Sequence, residues 1–388
     1  MNRYIFFTIL LLIATACGAQ ADLSAWKLVE QGRQAESLSL TMRAEEHYKQ
    51  AAADSSEWHI PTLQLGLLYE TMGYNDRAIQ MLRQALSLCD TSATIYEHLV
   101  YNYIESNDYD GQKNGGIGSI EDLEHLAERA LELNPHSTSA CASMALIYNH
   151  RKNYTNAMHW ANRALQEHDK SPRVYNTLGL ICYNQGKDNN AISHFRKALE
   201  LDDKNVDTYL NLGAMFTARG NHESAINYLR KGLQQSPKSI KLHYLLGKAY
   251  LQRGDVQRAT LCYETIIQQL DSLYTPAYNM LGTIYNKKGD YDKAVAYHQK
   301  ACRIAPSDAE SYKCLGKTHT DRGDYVKALR SYQKAVQIND KDHETYCLMA
   351  HLYNKQNNKA RETASYKKAA KLGNKEAQQW MARNGMAW

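Results

Sequence analysis

The chain of 388 residues carries 46 Lys and Arg against 41 Asp and Glu, a formal net charge of +5, and no clustered basic run, which excludes an electrostatic case for nucleic acid. Proline is scarce at 6 residues, tyrosine abundant at 28, and no Ser/Gly/Pro-rich linker divides the chain. Such a composition favours helix throughout and disfavours a string of separate domains.

Residues 1–21 read as a secretory signal. Asn2-Arg3 gives a short positive end, Tyr4 to Ala16 is an apolar run too short to span a bilayer comfortably, and small residues follow. Two processing readings stand side by side. Ala19-Gln20-Ala21 fits an A-x-A cleavage site that releases a soluble chain beginning at Asp22, the preferred reading. Ala14-Thr15-Ala16-Cys17 resembles a bacterial lipobox, without the usual Leu at its first position, and would leave a lipidated Cys17. No later segment is long and apolar enough to span a membrane. The expected setting is therefore the periplasm or the outer-membrane surface of a bacterial cell envelope.

Beyond the signal the chain repeats itself. Leu-Gly pairs stand at Leu65-Gly66, Leu178-Gly179, Leu212-Gly213, Leu246-Gly247, Leu281-Gly282 and Leu315-Gly316, and from the second pair onward they recur every 34 or 35 residues. Each pair is followed at a fixed offset by a second glycine (Gly73, Gly186, Gly220, Gly254, Gly289, Gly323) and then by an alanine (Ala78, Ala191, Ala225, Ala259, Ala294, Ala328). Apolar residues recur at helical spacing on both sides of the second glycine, as in Tyr278, Leu281 and Tyr285, then Ala294, Tyr297 and Ala301. That glycine suits a left-handed helix end. The Asp or Asn after it (Asn221, Asp255, Asp290, Asp324) suits an N-cap, and Pro135, Pro237 and Pro306 fall near unit ends. The unit is a helix–turn–helix hairpin.

This spacing resembles the tetratricopeptide repeat. Tyr209, Leu212, Gly213, Phe216, Ala225, Leu229 and Pro237 match its pattern, as do Tyr278, Leu281, Gly282, Tyr285, Ala294, Ala301 and Pro306, with His298 at the second aromatic place. Units then begin near residues 25, 59, 93, 138, 172, 206, 240, 275, 309 and 343. The resemblance implies an all-α, right-handed superhelical solenoid of tandem helix-turn-helix repeats with a C-terminal capping helix. The expected divisions are a signal over 1–21, a degenerate repeat over 22–58, the array over 59–372, and a cap and tail over 373–388. In the third unit about eleven extra residues, read as a surface loop within 107–120, separate the two helices.

Little chemistry is legible. No H-E-x-x-H, G-x-S-x-G or Walker-type loop occurs, and the cysteines show no C-x-x-C. His298 and His319 replace aromatics at repeat positions and read as packing residues. The cysteines read mostly as buried free thiols, with Cys302 and Cys314 the pair best placed for a bridge. The repeats consume the chain, so no enzyme, no cofactor and no metal site is expected.

The resemblance also implies where a partner binds. In the family the first helix of each hairpin lines a concave groove through its fifth and ninth positions. Here these are Leu63 and Leu67, Glu97 and Tyr101, Ala142 and Leu146, Asn176 and Leu180, Leu210 and Ala214, Tyr244 and Lys248, Asn279 and Thr283, Lys313 and Lys317, Cys347 and His351. An incoming protein or peptide segment would lay apolar side chains on Leu63, Leu67, Tyr101, Leu146 and Leu180, and an acidic stretch or terminal carboxylate against Lys248, Asn279, Lys313 and Lys317. The last four partly match the family's carboxylate clamps. The alternatives are a peptide or glycan receptor stacking on Tyr101, Tyr183 and Tyr244, a sensor or regulatory subunit of an envelope complex, and self-association. The membrane enters only through a lipid anchor on Cys17.

Overall fold

The computed structural model describes residues 23–38, 40–106, 119–168 and 170–388. The signal segment, Cys17 and most of the inserted loop lie outside the described residues. The chain divides into two compact units, one ending at Thr208 and one beginning at Tyr209. The boundary falls inside a helix, where the sequence shows no interruption of the array.

Every described element is helical. The first unit contains α1 (Leu23–Ser37), α2 (Thr41–Asp54), α3 (His59–Thr71), α4 (Asn75–Leu88), α5 (Ala93–Ser106), α6 (Ile120–Leu133), α7 (Thr138–His150), α8 (Tyr154–Glu167), α9 (Pro172–Asn184) and α10 (Asp188–Leu201). Helix α11 (Val206–Ala218) carries the boundary. The second unit continues with α12 (His222–Gln235), α13 (Ile240–Arg253), α14 (Val256–Thr265), α15 (Thr275–Lys287), α16 (Tyr291–Ile304), α17 (Ala309–Arg322), α18 (Tyr325–Ile338), α19 (His343–Lys355), α20 (Lys359–Lys371) and α21 (Lys375–Arg383). Consecutive helices pair as hairpins, α9 with α10 and α17 with α18 for example, and within each unit neighbouring hairpins also pack on one another, as α4 does on α5 and α16 on α17.

The two glycines of the unit have separate jobs. A Cβ placed at Gly179 would lie 2.5 Å from the Phe195 ring, and one at Gly316 would lie 2.5 Å from the Tyr332 ring. The Leu-Gly glycine is thus the notch that receives the large side chain of the hairpin's second helix, and any methyl there overpacks the site. The mid-unit glycine ends the first helix in the left-handed region, as at Gly186 (φ +77°). In two of the units that lack it, Lys152 (φ +58°) and Asn357 (φ +55°) take the same turn in its place.

Small alanines complete the close approach: Ala191, Ala225, Ala259, Ala294 and Ala328 are all fully buried. The side chains of Asn221, Asp255 and Asp290 accept backbone N–H bonds as N-caps. Asp324 makes no such cap; its carboxylate faces Arg322, Lys327 and His319 instead. A unit one residue longer than its neighbours, from Ile240 to Thr275, absorbs the extra residue as a π turn over Ile266–Leu270, closed by the Asp271 amide donating to the Ile266 carbonyl at 2.7 Å.

Cys302 and Cys314, the pair best placed for a bridge, are not joined. Both are free thiols, Cys302 buried and Cys314 half-buried. Burial pushes the Cys302 thiol up to about 11, and burial together with the Glu310 carboxylate pushes Cys314 up to about 12, so neither is a ready thiolate.

Candidate protein-binding site

The first helices of the hairpins present the groove positions of both units, and the two units treat them differently. In the first unit Leu63 is 5% exposed and belongs to the core between α3, α4, α5 and α6, so it offers no surface. Leu67 is half-buried against that same core. Leu146 on α7 and Leu180 on α9 are half-buried and retain accessible apolar surface. The Glu97 carboxylate accepts a 2.6 Å bond from the Ser137 hydroxyl.

Tyr101 is the most connected of these residues. Its hydroxyl donates to Asp207 Oδ2 at 3.1 Å, and the Arg173 guanidinium lies over its ring, 4.4 Å from the centroid. Arg173 is held in turn by Ser139 Oγ (2.7 Å) and Ser143 Oγ (3.1 Å). Burial, and then the Asp207 carboxylate, push the Tyr101 phenol pKa up, so it stays a neutral donor. One tyrosine from the third hairpin therefore engages groups from the fifth and sixth, across the first-helix face of the first unit. An incoming carboxylate would meet Arg173 already braced; an incoming amine would meet Asp207.

In the second unit the expected clamp is largely committed to the repeats themselves. Lys313 Nζ sits 2.7 Å from Glu310, 3.2 Å from Glu344 and 3.6 Å from Asp342. Burial alone would lower its amine pKa, but the hydrogen bond and charge of Glu310, then Asp342 and Glu344, outweigh it and hold the ammonium raised. Three carboxylates around one ammonium leave the spot net negative, the wrong sign for a partner carboxylate. Asn279 is 8% exposed; its Nδ2 donates to Ser311 Oγ at 2.9 Å, and its Oδ1 faces His298 Nδ1 at 3.4 Å. Of the four expected clamp residues, only half-buried Lys248 and exposed Lys317 keep surface for a ligand. Tyr244 is met edge-on by Tyr263 and Tyr274, with ring centroids 5.7 and 5.9 Å away, and so belongs to an internal aromatic cluster.

The remaining positions add little reactivity. Leu210 and Thr283 are half-buried, Ala214 is exposed, and Ala142 and Cys347 are buried. His351 pairs with Glu376 at 3.2 Å. Among the described residues no cluster of His, Cys, Asp and Glu is arranged to hold a metal, and no helix is long and apolar enough to cross a membrane.

Reading only the fifth and ninth positions missed Arg173, Asp207, Glu310 and Glu344, which make the contacts above. All four stand at the second position of their units, as does Lys241. A charge recurring at one register position was the available signal.

The comparisons agree with this architecture. Tetratricopeptide-repeat models match residues 63–91, 170–238, 216–284, 275–308 and 343–375, and a TPR-repeat model matches 316–357. The chain belongs to the tetratricopeptide-repeat family. A model for anaphase-promoting complex, cyclosome, subunit 3 also matches residues 118–198. Among solved structures, yeast Tom70 is similar with a TM-score of 0.55 at 13% identity, covering 94% of this chain and 95% of that one. The APC/C hetero-tetramer Cut9–Hcn1 is similar with a TM-score of 0.52 at 14% identity, covering 94% and 77%. The human IFIT1 dimer with m7Gppp-AAAA gives 0.54 at 15% identity, covering 91% of each chain. At these identities the likeness is one of fold. No curated protein matches the chain.

Proposed function

We propose that the protein is a non-catalytic scaffold exported to the bacterial cell envelope, where it holds a segment of a partner protein on the first-helix face of its first unit. Tetratricopeptide-repeat scaffolds are generally protein-interaction modules, and the general reading follows from the family. The particular surface is supported by one observation: Leu146 and Leu180, half-buried on α7 and α9, share a unit with the braced Arg173–Tyr101–Asp207 group. Apolar anchors beside fixed charges give a partner segment both burial and register. The mature chain begins at Asp22, or carries lipid on Cys17 if the lipobox is used.

The test is affinity capture from a native envelope extract with the wild-type chain, a Leu146→Asp/Leu180→Asp variant and a Lys248→Glu/Lys317→Glu variant. Circular dichroism establishes that each is folded. The proposal expects a partner that is retained by the wild type and by the lysine variant and lost by the leucine variant. Equal capture by the wild type and the leucine variant overturns it.

A further inference from the structure

Charge is distributed very unevenly between the two units. Up to Thr208 the sequence carries 18 Lys and Arg against 26 Asp and Glu; from Tyr209 onward it carries 28 against 15. The near-neutral total therefore conceals one acidic and one basic unit, a pattern that acts on association rather than on fold.

In each unit the largest share carried by any one helix falls on the second helix of a hairpin, α6 in the first and α20 in the second. Helix α6 holds Glu121, Asp122, Glu124, Glu128 and Glu132 against Arg129 alone. Glu121, Glu128 and Glu132 are all exposed. Local cations engage some of these acids, Arg151 at Glu121 and Arg129 at Glu132, without cancelling the excess. Helix α20 holds Lys359, Arg361, Lys367, Lys368 and Lys371 against Glu362 alone, and Glu362 is 2% exposed and bonded to Asn354. Its outer surface is thus free of acid. Arg330 and Lys334 on α18, Lys367 and Lys371 on α20, and Lys375 and Arg383 on α21 are exposed and have no carboxylate partner among the described residues.

We infer that the basic surface of α20 and the adjoining α21 docks on the acidic α6 face of a second copy, so that the chain assembles head to tail through charge. The complement is carried by the chain itself: the most acidic described helix and the most basic one are of similar length, and each exposes its charges outward. Such a contact is heterologous. Each chain offers one acidic and one basic face, so the same contact can repeat from chain to chain and build rings or open filaments. This surface is separate from the first-helix face that holds the partner segment, so either assignment can fail alone.

Sedimentation velocity of the full chain tests this. At about 0.05 M salt the weight-average mass should rise with protein concentration to at least about twice that of one chain, and return to one chain at about 0.5 M, where screening is several-fold shorter in range. A Lys367→Gln/Lys371→Gln/Lys375→Gln/Arg383→Gln variant and a Glu121→Gln/Glu128→Gln/Glu132→Gln variant should each be monomeric at low salt. Mixed in equal amounts they should form a dimer and nothing larger, because one good face of each kind remains. That rescue also establishes that both variants are folded. A monomer at every salt and concentration overturns the inference, as does association that persists in both variants or strengthens with salt.

Discussion

Two residues fill repeat positions with chemistry their neighbours avoid. Lys152 takes the left-handed turn that glycine takes in six other units, at φ +58°. A side chain there costs roughly 1–2 kcal/mol. Lys152→Gly recovers part of that strain while adding backbone freedom to the unfolded chain, so a gain of up to about 1 kcal/mol is expected in urea unfolding. His298 occupies the notch of Gly282, where a Cβ would come 2.6 Å from the ring, in the place of Phe195 or Tyr332 elsewhere. Burial, with a smaller like-charge effect from His319, pushes its imidazole from 6.5 down to about 4. Between those values the unfolded chain binds the proton and the folded chain does not, so stability rises with pH through the window and is lost on acidification. One such group contributes a slope of up to roughly 1.4 kcal/mol per pH unit. His298→Phe should flatten the decline in melting temperature between about pH 6.5 and about pH 4. A wild-type curve and a variant curve of equal slope would contradict the burial argument.

The same logic scales up to helices. Helix α21 covers the α19–α20 hairpin: Ala377 and Met381 join Cys347, Ala350, Tyr366, Ala369 and Ala370 in one core, and Trp380 stacks on Tyr366 at 4.4 Å. A chain ending after Leu372 loses Trp380 and Met381, worth roughly 1.5–3 kcal/mol each when fully buried. Hydrogen exchange should accelerate in α19 and α20 and stay unchanged in the first unit; uniform exchange would show that α21 caps nothing. Helix positions were legible in the sequence because each notch glycine, turn glycine and alanine is dictated by hairpin packing, which repeats in register. The groove was less legible. Whether Lys313 faces a ligand or its own repeat depends on Asp342 and Glu344 of the next hairpin, and no single-unit pattern records that neighbour. The notch also hid His298, whose polar partner Asn279 was read as a clamp residue.

At the scale of the molecule, the sequence suggested one groove, apolar first and cationic later, along which a partner would lie. The structure contains two units with different first-helix faces. The first combines Leu146 and Leu180 with Arg173, Tyr101 and Asp207; the second spends Lys313 and Asn279 on internal bonds. The similarity to Tom70 and to the APC/C subunits extends over nearly the whole chain and concerns the stacking of hairpins. Specificity then rests on side chains, as expected for a fold that hosts many partners. The basic outer helices offer a second, charge-driven contact whose strength should fall with salt.

The central claim, that a partner segment lies on the first-helix face of the first unit, is tested most directly by site-specific photo-crosslinking in envelope extract. A photoreactive residue at Leu180, half-buried on α9, samples that face; one at Lys197, exposed on α10, samples the other side of the same hairpin. The account expects a discrete adduct from position 180 that is competed away by unlabelled chain, and none from position 197. No adduct at 180, or equal adducts at both positions, would contradict it.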